Sequence, residues 1–182
     1  VKQSTLVLAT RNPHKVREVA RVLAPAGVTV EGLPEWVELP PEDGDTFEAN
    51  ALPKARTAAT ALGRAAIADD SGIEAEALGG APGVRSARYA GESASDEQNL
   101  VKFEAEVPAG SRLRYVCALA YVDPAAGEER VFFGECRGRM SGERRGSRGF
   151  GYDPVFLPDD APQSATMAQL SDAEKDLISH RG

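Results

Sequence analysis

"IADDSGIEAEALGG", residues 67–80, decides how this chain is to be read. An apolar, strand-like run, "AAIAD" at 65–69, leads directly into two adjacent carboxylates, Asp69 and Asp70, and then into Ser71-Gly72. Read as a strand that stops at Asp69, it sets both acids at the C-terminal edge of a sheet, where open α/β folds bind their ligands. Adjacent acids also serve as plain turn or capping residues, so the stretch alone leaves both readings open.

Working outward, strand and helix signals alternate. "TLVLA" (5–9) reads as a buried strand, and Asn12-Pro13 as a helix start: a capping side chain, then a ring that needs no N–H. Val16, Val19, Val22 and Leu23 mark one face of that helix, and Gly27 ends it. "VTVEG" (28–32) is a second short strand. After a Pro- and acid-rich loop (34–45), Asp45 with Glu48 three residues on gives a capping-box-like start for an Ala-rich helix to about Leu62, which Pro53 is expected to kink.

Downstream of the quoted stretch come a Gly-rich loop (79–93) and a helix opened by Ser95 with Gln98. Two long strands, "RLRYVCALAYV" (112–122) and "RVFFGECRGRM" (130–140), read as an antiparallel hairpin. A Gly- and Arg-rich stretch (141–153) precedes another short strand, and Ser171 with Glu174 caps a final helix. The expected fold class is α/β: a mixed twisted sheet with a long antiparallel hairpin, two lobes around a central cleft, in a single domain over 1–182.

Composition sets bounds on function. At 182 residues and 42% hydrophobic, the chain buries one sizeable core. A net charge of -7, from 21 Lys and Arg against 28 Asp and Glu, argues against general binding to nucleic acid or to acidic membrane surfaces. Cys117 and Cys136 lie far apart without CxxC spacing, so buried free thiols and a cytoplasmic setting are expected. No run approaches the ~18 apolar residues of a membrane span and no signal-peptide pattern is found, so the protein reads as soluble and not exported.

Four clusters carry chemistry, and each also has a plain structural reading. In "ATRNPHK" (9–15), Thr10, Asn12 and Lys15 set a hydroxyl, an amide and an ammonium around a helix N-terminus, which suits phosphate and equally suits an ordinary capped helix with a solvated lysine. No GxxxxGK[ST] occurs, which excludes a P-loop. Asp70, with Glu42 from the acidic loop "PEDGD" (41–45), matches the one or two carboxylates Mg²⁺ takes from a protein. "GSRGFGYDP" (146–154) sets Phe150 and Tyr152 among glycines, either a stacking platform for a base or a Gly-rich turn with core rings. "EKDLISHRG" (174–182) brings Lys175, Ser179, His180 and Arg181 to a helix end, as ligand contacts or as a charged tail.

Together, T-x-N-x-x-K, then A-D-D-S-G followed by "LGGAPGVRSARYAG", then F-G-Y-D-P, then S-H-R, in this order and spacing over residues 5–182, resemble the inosine triphosphate pyrophosphatase family. The resemblance implies a two-lobed α/β homodimer that uses Mg²⁺ to hydrolyse non-standard purine nucleoside triphosphates (ITP, dITP, XTP) to the monophosphate and pyrophosphate, clearing them from the nucleotide pool. Carried over by position, the turn Thr10, Arg11, Asn12, Pro13, His14 and Lys15 would hold the triphosphate with help from Lys54. Asp70 would accept the proton of the attacking water and bind metal, Glu42 would be the second ligand, and Ser71 a substrate contact. Asp69 is the lesser candidate of the pair. Phe150, Gly151, Tyr152 and Asp153 would wall the nucleoside pocket, and Lys175, Ser179, His180 and Arg181 would close over the base.

Rival classes predict different behaviour. A non-catalytic nucleotide-binding module would not need Asp70 and Glu42 together. An RNA-binding protein would use Arg137, Arg139, Arg144, Arg145 and Arg148, against the overall negative charge. A related enzyme for modified pyrimidines would differ in its triphosphate panel.

Overall fold

The computed structural model describes residues 4–182. Six strands, β1 (Ser4–Leu8), β2 (Val28–Gly32), β3 (Ala66–Ala75), β4 (Arg112–Asp123), β5 (Glu128–Met140) and β6 (Phe156–Pro158), are hydrogen-bonded in the order β2-β1-β3-β4-β5-β6. Four α-helices accompany them: α1 (Pro13–Leu23), α2 (Phe47–Leu62), α3 (Asp96–Glu106) and α4 (Asp172–Ile178). β1 runs parallel to β2 (Leu6↔Val30) and to β3 (Leu8↔Ile67), while β6 is antiparallel to β5 (Arg139↔Leu157). Residues 124–127 alone join the neighbouring strands β4 and β5, and so short a link makes the pair antiparallel. The mixed α/β fold and its long hairpin are those expected from the sequence.

Contacts divide the chain into two compact units. The first comprises the chain through Asp70, Cys117–Phe133 and Arg181; the second comprises Ser71–Val116, Gly134–His180 and Gly182.

The first unit begins with a strand, a turn and a helix set by local chemistry. Asn12 caps α1, its side chain accepting from the His14 and Lys15 amides at 2.9 and 3.4 Å, and Pro13 takes the first helical position. The helix passes through a 3-10 turn into Gly27, whose φ of 74° suits glycine. Val19, Leu8 and Ile67 form the local core, joined by Val16, Leu23 and Leu119. For α2 the cap is Thr46, not the expected Asp45: the Thr46 hydroxyl accepts from the Ala49 amide at 3.1 Å. Pro53 lies inside α2, where its ring removes one backbone bond, yet the helix runs on to Leu62. Ala51, Ala55, Ala58 and Ala59 are fully buried, so small side chains let α2 sit close to its neighbours.

β3 departs from expectation. It does not stop at Asp69 but continues through Asp70, Ser71 and Gly72 to Ala75. Turn-forming residues yield here to burial: Asp69 is 0% and Asp70 5% exposed, and each carboxylate finds partners inside the protein. The acids therefore lie mid-strand, on a rigid support.

In the second unit, α3 and α4 carry the expected capping boxes, Ser95 with Gln98 and Ser171 with Glu174. The core is aromatic: Phe103 meets Tyr152 edge-on with centroids 4.9 Å apart, and Tyr115 lies 4.6 Å from Phe156. Each fully buried ring contributes about 1.5–3 kcal/mol. The Gly-rich segment is fixed in place. Residues Gly83–Arg88 form a 3-10 helix, Ser86 accepts from the Ile73 amide at 2.8 Å, and Asn99 bridges Ala90 N and Ala87 O at 2.8 and 3.0 Å. Both cysteines are buried and reduced, as expected. No helix among the described residues is long and apolar enough to cross a membrane.

Candidate active site

The strand-to-helix turn spends its own polar groups first. Thr10 Oγ1 accepts from the Asn12 amide at 3.1 Å, and Asn12 caps α1. Arg11 donates to the carbonyls of Leu33, Glu35 and Val37 at 3.0, 3.0 and 2.7 Å, which ties the following loop to the turn. Arg17 lies 2.8 Å from His14 Nδ1 at the surface. Lys15 emerges from the first turn of α1 with its ammonium 3.2 Å from Asp69 Oδ1, half-buried beside a fully buried carboxylate.

Adjacent side chains on a strand point to opposite faces, and the partners of the two acids divide accordingly. Asp69 faces Lys15 and Arg181, whose Nε lies 3.1 Å from Asp69 Oδ2. Arg181 also reaches Glu18 Oε2 at 2.9 Å, so one guanidinium with 5% of its side chain exposed joins two buried carboxylates. Burial acts to lower the Arg181 pKa, and the charges of Asp69 and Glu18 more than offset it, leaving it raised.

Asp70 meets α2. Asn50 Nδ2 donates to Asp70 Oδ2 at 2.9 Å, and one turn on Lys54 donates to the Asp69 carbonyl at 2.9 Å and to the Glu42 carboxylate. Burial pushes the Asp70 carboxyl above its ordinary range; Lys54 and the Asn50 donor pull it down, Glu42 pushes it up, and Lys15 pulls it down. Asp70 and Glu42 thus sense each other, and both offer hard oxygens. Among the described residues no group of three or more His, Cys, Asp or Glu side chains is placed to hold a metal ion.

The second unit holds another cluster. Lys175 Nζ lies 2.6 Å from Asp153 Oδ2, both side chains almost fully buried, and Tyr115 Oη donates to Asp153 Oδ1 at 3.0 Å. The Phe150 amide donates to Asp153 Oδ2 at 3.0 Å, and the Lys175 ammonium stands 5.2 Å from the Phe150 ring centroid. Tyr152 turns into the core, its hydroxyl donating to the Ser86 carbonyl at 2.7 Å. Gly151 N donates to Asp96 Oδ2 at 3.2 Å, and Ser179 Oγ accepts from Gly182 N at 3.2 Å. His180 stacks on Tyr115 at 4.8 Å and 14°, and its carbonyl sits where a β-carbon on Gly134 would fall, 2.1 Å away. Ser71 is half-buried on β3.

The candidates therefore sort into two groups. Thr10 to Lys15, Glu42, Lys54, Asp70 and Arg181 belong to the first unit; Ser71, Phe150 to Asp153, Lys175, Ser179 and His180 belong to the second. Arg181 falls in with the carboxylates, apart from its chain neighbour His180. Glu18, Asn50, Ser86 and Tyr115, each bonded to one of these candidates, were not legible from the sequence. Glu18 gave one faint signal, an acid between Val16 and Val19 on an apolar stripe.

The fold is a mixed α/β sheet carrying a buried carboxylate pair, flanked by lysines beside the N-terminus of α1. A sequence profile of the Ham1 family matches residues 6–182. The dITP/XTP pyrophosphatase of Frankia alni is 48% identical across 97% of this chain and 91% of its own length. That of Mycolicibacterium paratuberculosis is 49% identical, covering 98% of this chain and 91% of its own. The solved structure of a HAM1 protein from Coxiella burnetii superposes with a TM-score of 0.83 at 36% identity, over 98% of this chain and 93% of that one. The chain belongs to the Ham1 family.

Proposed function

We infer that the chain is a nucleoside triphosphate pyrophosphatase that hydrolyses non-standard purine nucleoside triphosphates (ITP, dITP and XTP) to the nucleoside monophosphate and pyrophosphate. The observation that carries this reading is near-half identity, over almost the whole chain, to dITP/XTP pyrophosphatases, joined to the cluster of Lys15, Lys54, Asp69 and Asp70. The activity serves to clear such nucleotides from the pool, and the compartment expected for it is the cytoplasm.

Lys15 and the positive end of the α1 dipole would hold the triphosphate by charge. Lys54 adds a second cation fixed by the Asp69 carbonyl. Asp70 and Glu42 would hold Mg²⁺, since the pair supplies two hard oxygens and leaves the other positions to water and phosphate. When bound there, the ion supplies charge neutralisation for the triphosphate and polarises the reacting phosphoryl group. The Asp70 carboxylate takes a proton from the attacking water, whose oxygen bonds to the α-phosphorus as the bond to the α,β-bridging oxygen breaks and pyrophosphate leaves. Asp69, already matched by Lys15 and Arg181, fixes the lysine in place.

The second unit's residues would serve the nucleoside: Phe150 and Lys175 offer a ring face and a cation, with Asp153 holding both in place. Arg181 would donate to the 6-oxo group of hypoxanthine or xanthine, which adenine lacks, exchanging a carboxylate partner for the base as it does so. A homodimer is proposed as the working form; Phe132 and Phe133, 52% and 66% exposed on β5, offer apolar surface to a second copy.

The test is product analysis with a panel of triphosphates. Pyrophosphate and monophosphate from ITP, dITP and XTP, abolished by EDTA and much slower from ATP and GTP, are expected. Diphosphate with orthophosphate, or no base preference, would overturn the reading.

A further inference from the structure

We propose that Asn50 is a positioning residue whose side-chain amide locks the Asp70 carboxylate and the loop bearing Glu42 into one arrangement, so that the two carboxylates are presented together. The proposal rests on the roles given above to Asp70 and Glu42.

Asn50 is 3% exposed in the first turn of α2. A primary amide has two N–H donors and one acceptor oxygen, and here every group is engaged. The amide nitrogen donates to Asp70 Oδ2 at 2.9 Å and to the Gly44 carbonyl at 3.4 Å; the amide oxygen accepts from the Gly44 amide at 2.8 Å. That network fixes which end of the amide faces the carboxylate, since the reverse orientation sets oxygen against oxygen.

The loop needs such a tether. Glu42, Asp43 and Asp45 crowd three like charges around Gly44, and solvation favours their dispersal. Gly44 also comes too close for any other residue: a β-carbon there would lie 2.8 Å from Asn50 Oδ1 and 2.8 Å from Ala49 Cβ. Four residues on, Lys54 takes the Glu42 carboxylate and the Asp69 carbonyl. One face of α2 therefore holds the loop at two points and β3 at two consecutive residues. Lys54 acts by charge, whereas Asn50 acts by directed hydrogen bonds and adds no charge to a carboxylate that must act as a base.

Three variants separate positioning from bulk folding. Asn50→Ala should lower kcat for ITP roughly 10- to 150-fold, the effect of losing a hydrogen bond to a charged group, with KM changed less than about 3-fold. In the metal-free protein, hydrogen exchange at the Gly44 amide should rise in Asn50→Ala and stay near wild type in Asn50→Asp, which keeps the acceptor. Asn50→Asp should nonetheless be inactive and lower in thermal midpoint, because it sets two carboxylates together. The exchanged pair Asn50→Asp/Asp70→Asn should recover most of that midpoint without recovering activity. An unchanged kcat in Asn50→Ala, equal losses in kcat and KM with no change at Gly44, or an exchanged pair no more stable than Asn50→Asp would each overturn the proposal. If wild-type protein hydrolyses no triphosphate, the functional reading fails, while the exchange and midpoint measurements still decide the role of Asn50.

Discussion

Asp69 and Asp70, consecutive on β3, have different hydrogen-bonded and ion-paired side-chain partners: Asp69 lies 3.2 Å from Lys15 and 3.1 Å from Arg181, whereas Asp70 accepts from Asn50 at 2.9 Å. Two cations pair with the first acid. The second is buried with a neutral donor nearest to it, and its pKa rises. Neighbouring positions on one strand thus give two carboxylates different surroundings, as the role proposed for Asp70 requires.

Asp70→Asn should abolish turnover yet fold at least as stably as wild type at neutral pH in the absence of metal. Burial penalises the ionised carboxyl, and the amide carries no such penalty. Because the folded-state pKa is raised, wild type is relieved of the penalty as pH falls through it, so the difference in thermal midpoint should shrink toward acid pH. Melting curves across the acid range check the sign; a variant less stable than wild type at neutral pH would refute the account.

Replacing Lys15 with Ala removes a charge-assisted contact to phosphate, and KM for ITP should rise about 10- to 150-fold. Binding of the free nucleoside should change little. Calorimetry with inosine beside kinetics with ITP separates the two, and equal weakening would reassign Lys15 to holding Asp69.

Arg181→Ala removes from two buried acids the cation they share. A loss of about 3–5 kcal/mol is expected in urea unfolding, and Glu18→Gln in the same chain should restore part of it. If Arg181 also reads the 6-oxo group, the ratio of ITP to ATP activity should fall toward unity in the folded fraction. A proportional loss on both substrates would leave the counter-ion role alone.

Neither thiol should react readily in the native state. Burial pushes both Cys117 and Cys136 up to about 12, with the charge of Asp69 adding to the effect at Cys117, so little thiolate exists at neutral pH. Titration with a chromogenic disulfide should find both only after denaturant is added.

What the sequence disclosed was mostly local. Asn12-Pro13, Ser95 with Gln98 and Ser171 with Glu174 declare helix starts because a cap and its partner lie within three residues. The length of β3 was hidden because Asp-Asp-Ser-Gly spells a turn until its partners are known, and Arg181 comes from 112 residues away. Thr46 displaced Asp45 as the cap by one position, next to a Gly44 held by Asn50; nothing in the spacing of the acids could show that. Motif order identified phosphate chemistry, whereas Glu18, Asn50 and Tyr115 became visible only through the groups they touch.

Gly44, Gly134 and Gly138 carry a lesson for reading natural variants. None has the left-handed backbone that flags a glycine as irreplaceable, so a filter based on torsion angles would pass alanine at all three. Yet an added methyl would fall 2.8 Å from the Asn50 amide oxygen, 2.1 Å from the His180 carbonyl and 2.3 Å from the Leu157 carbonyl, respectively. At these positions the missing side chain is itself the contact, and a genome survey scoring them by conformation alone would count harmful alleles as benign.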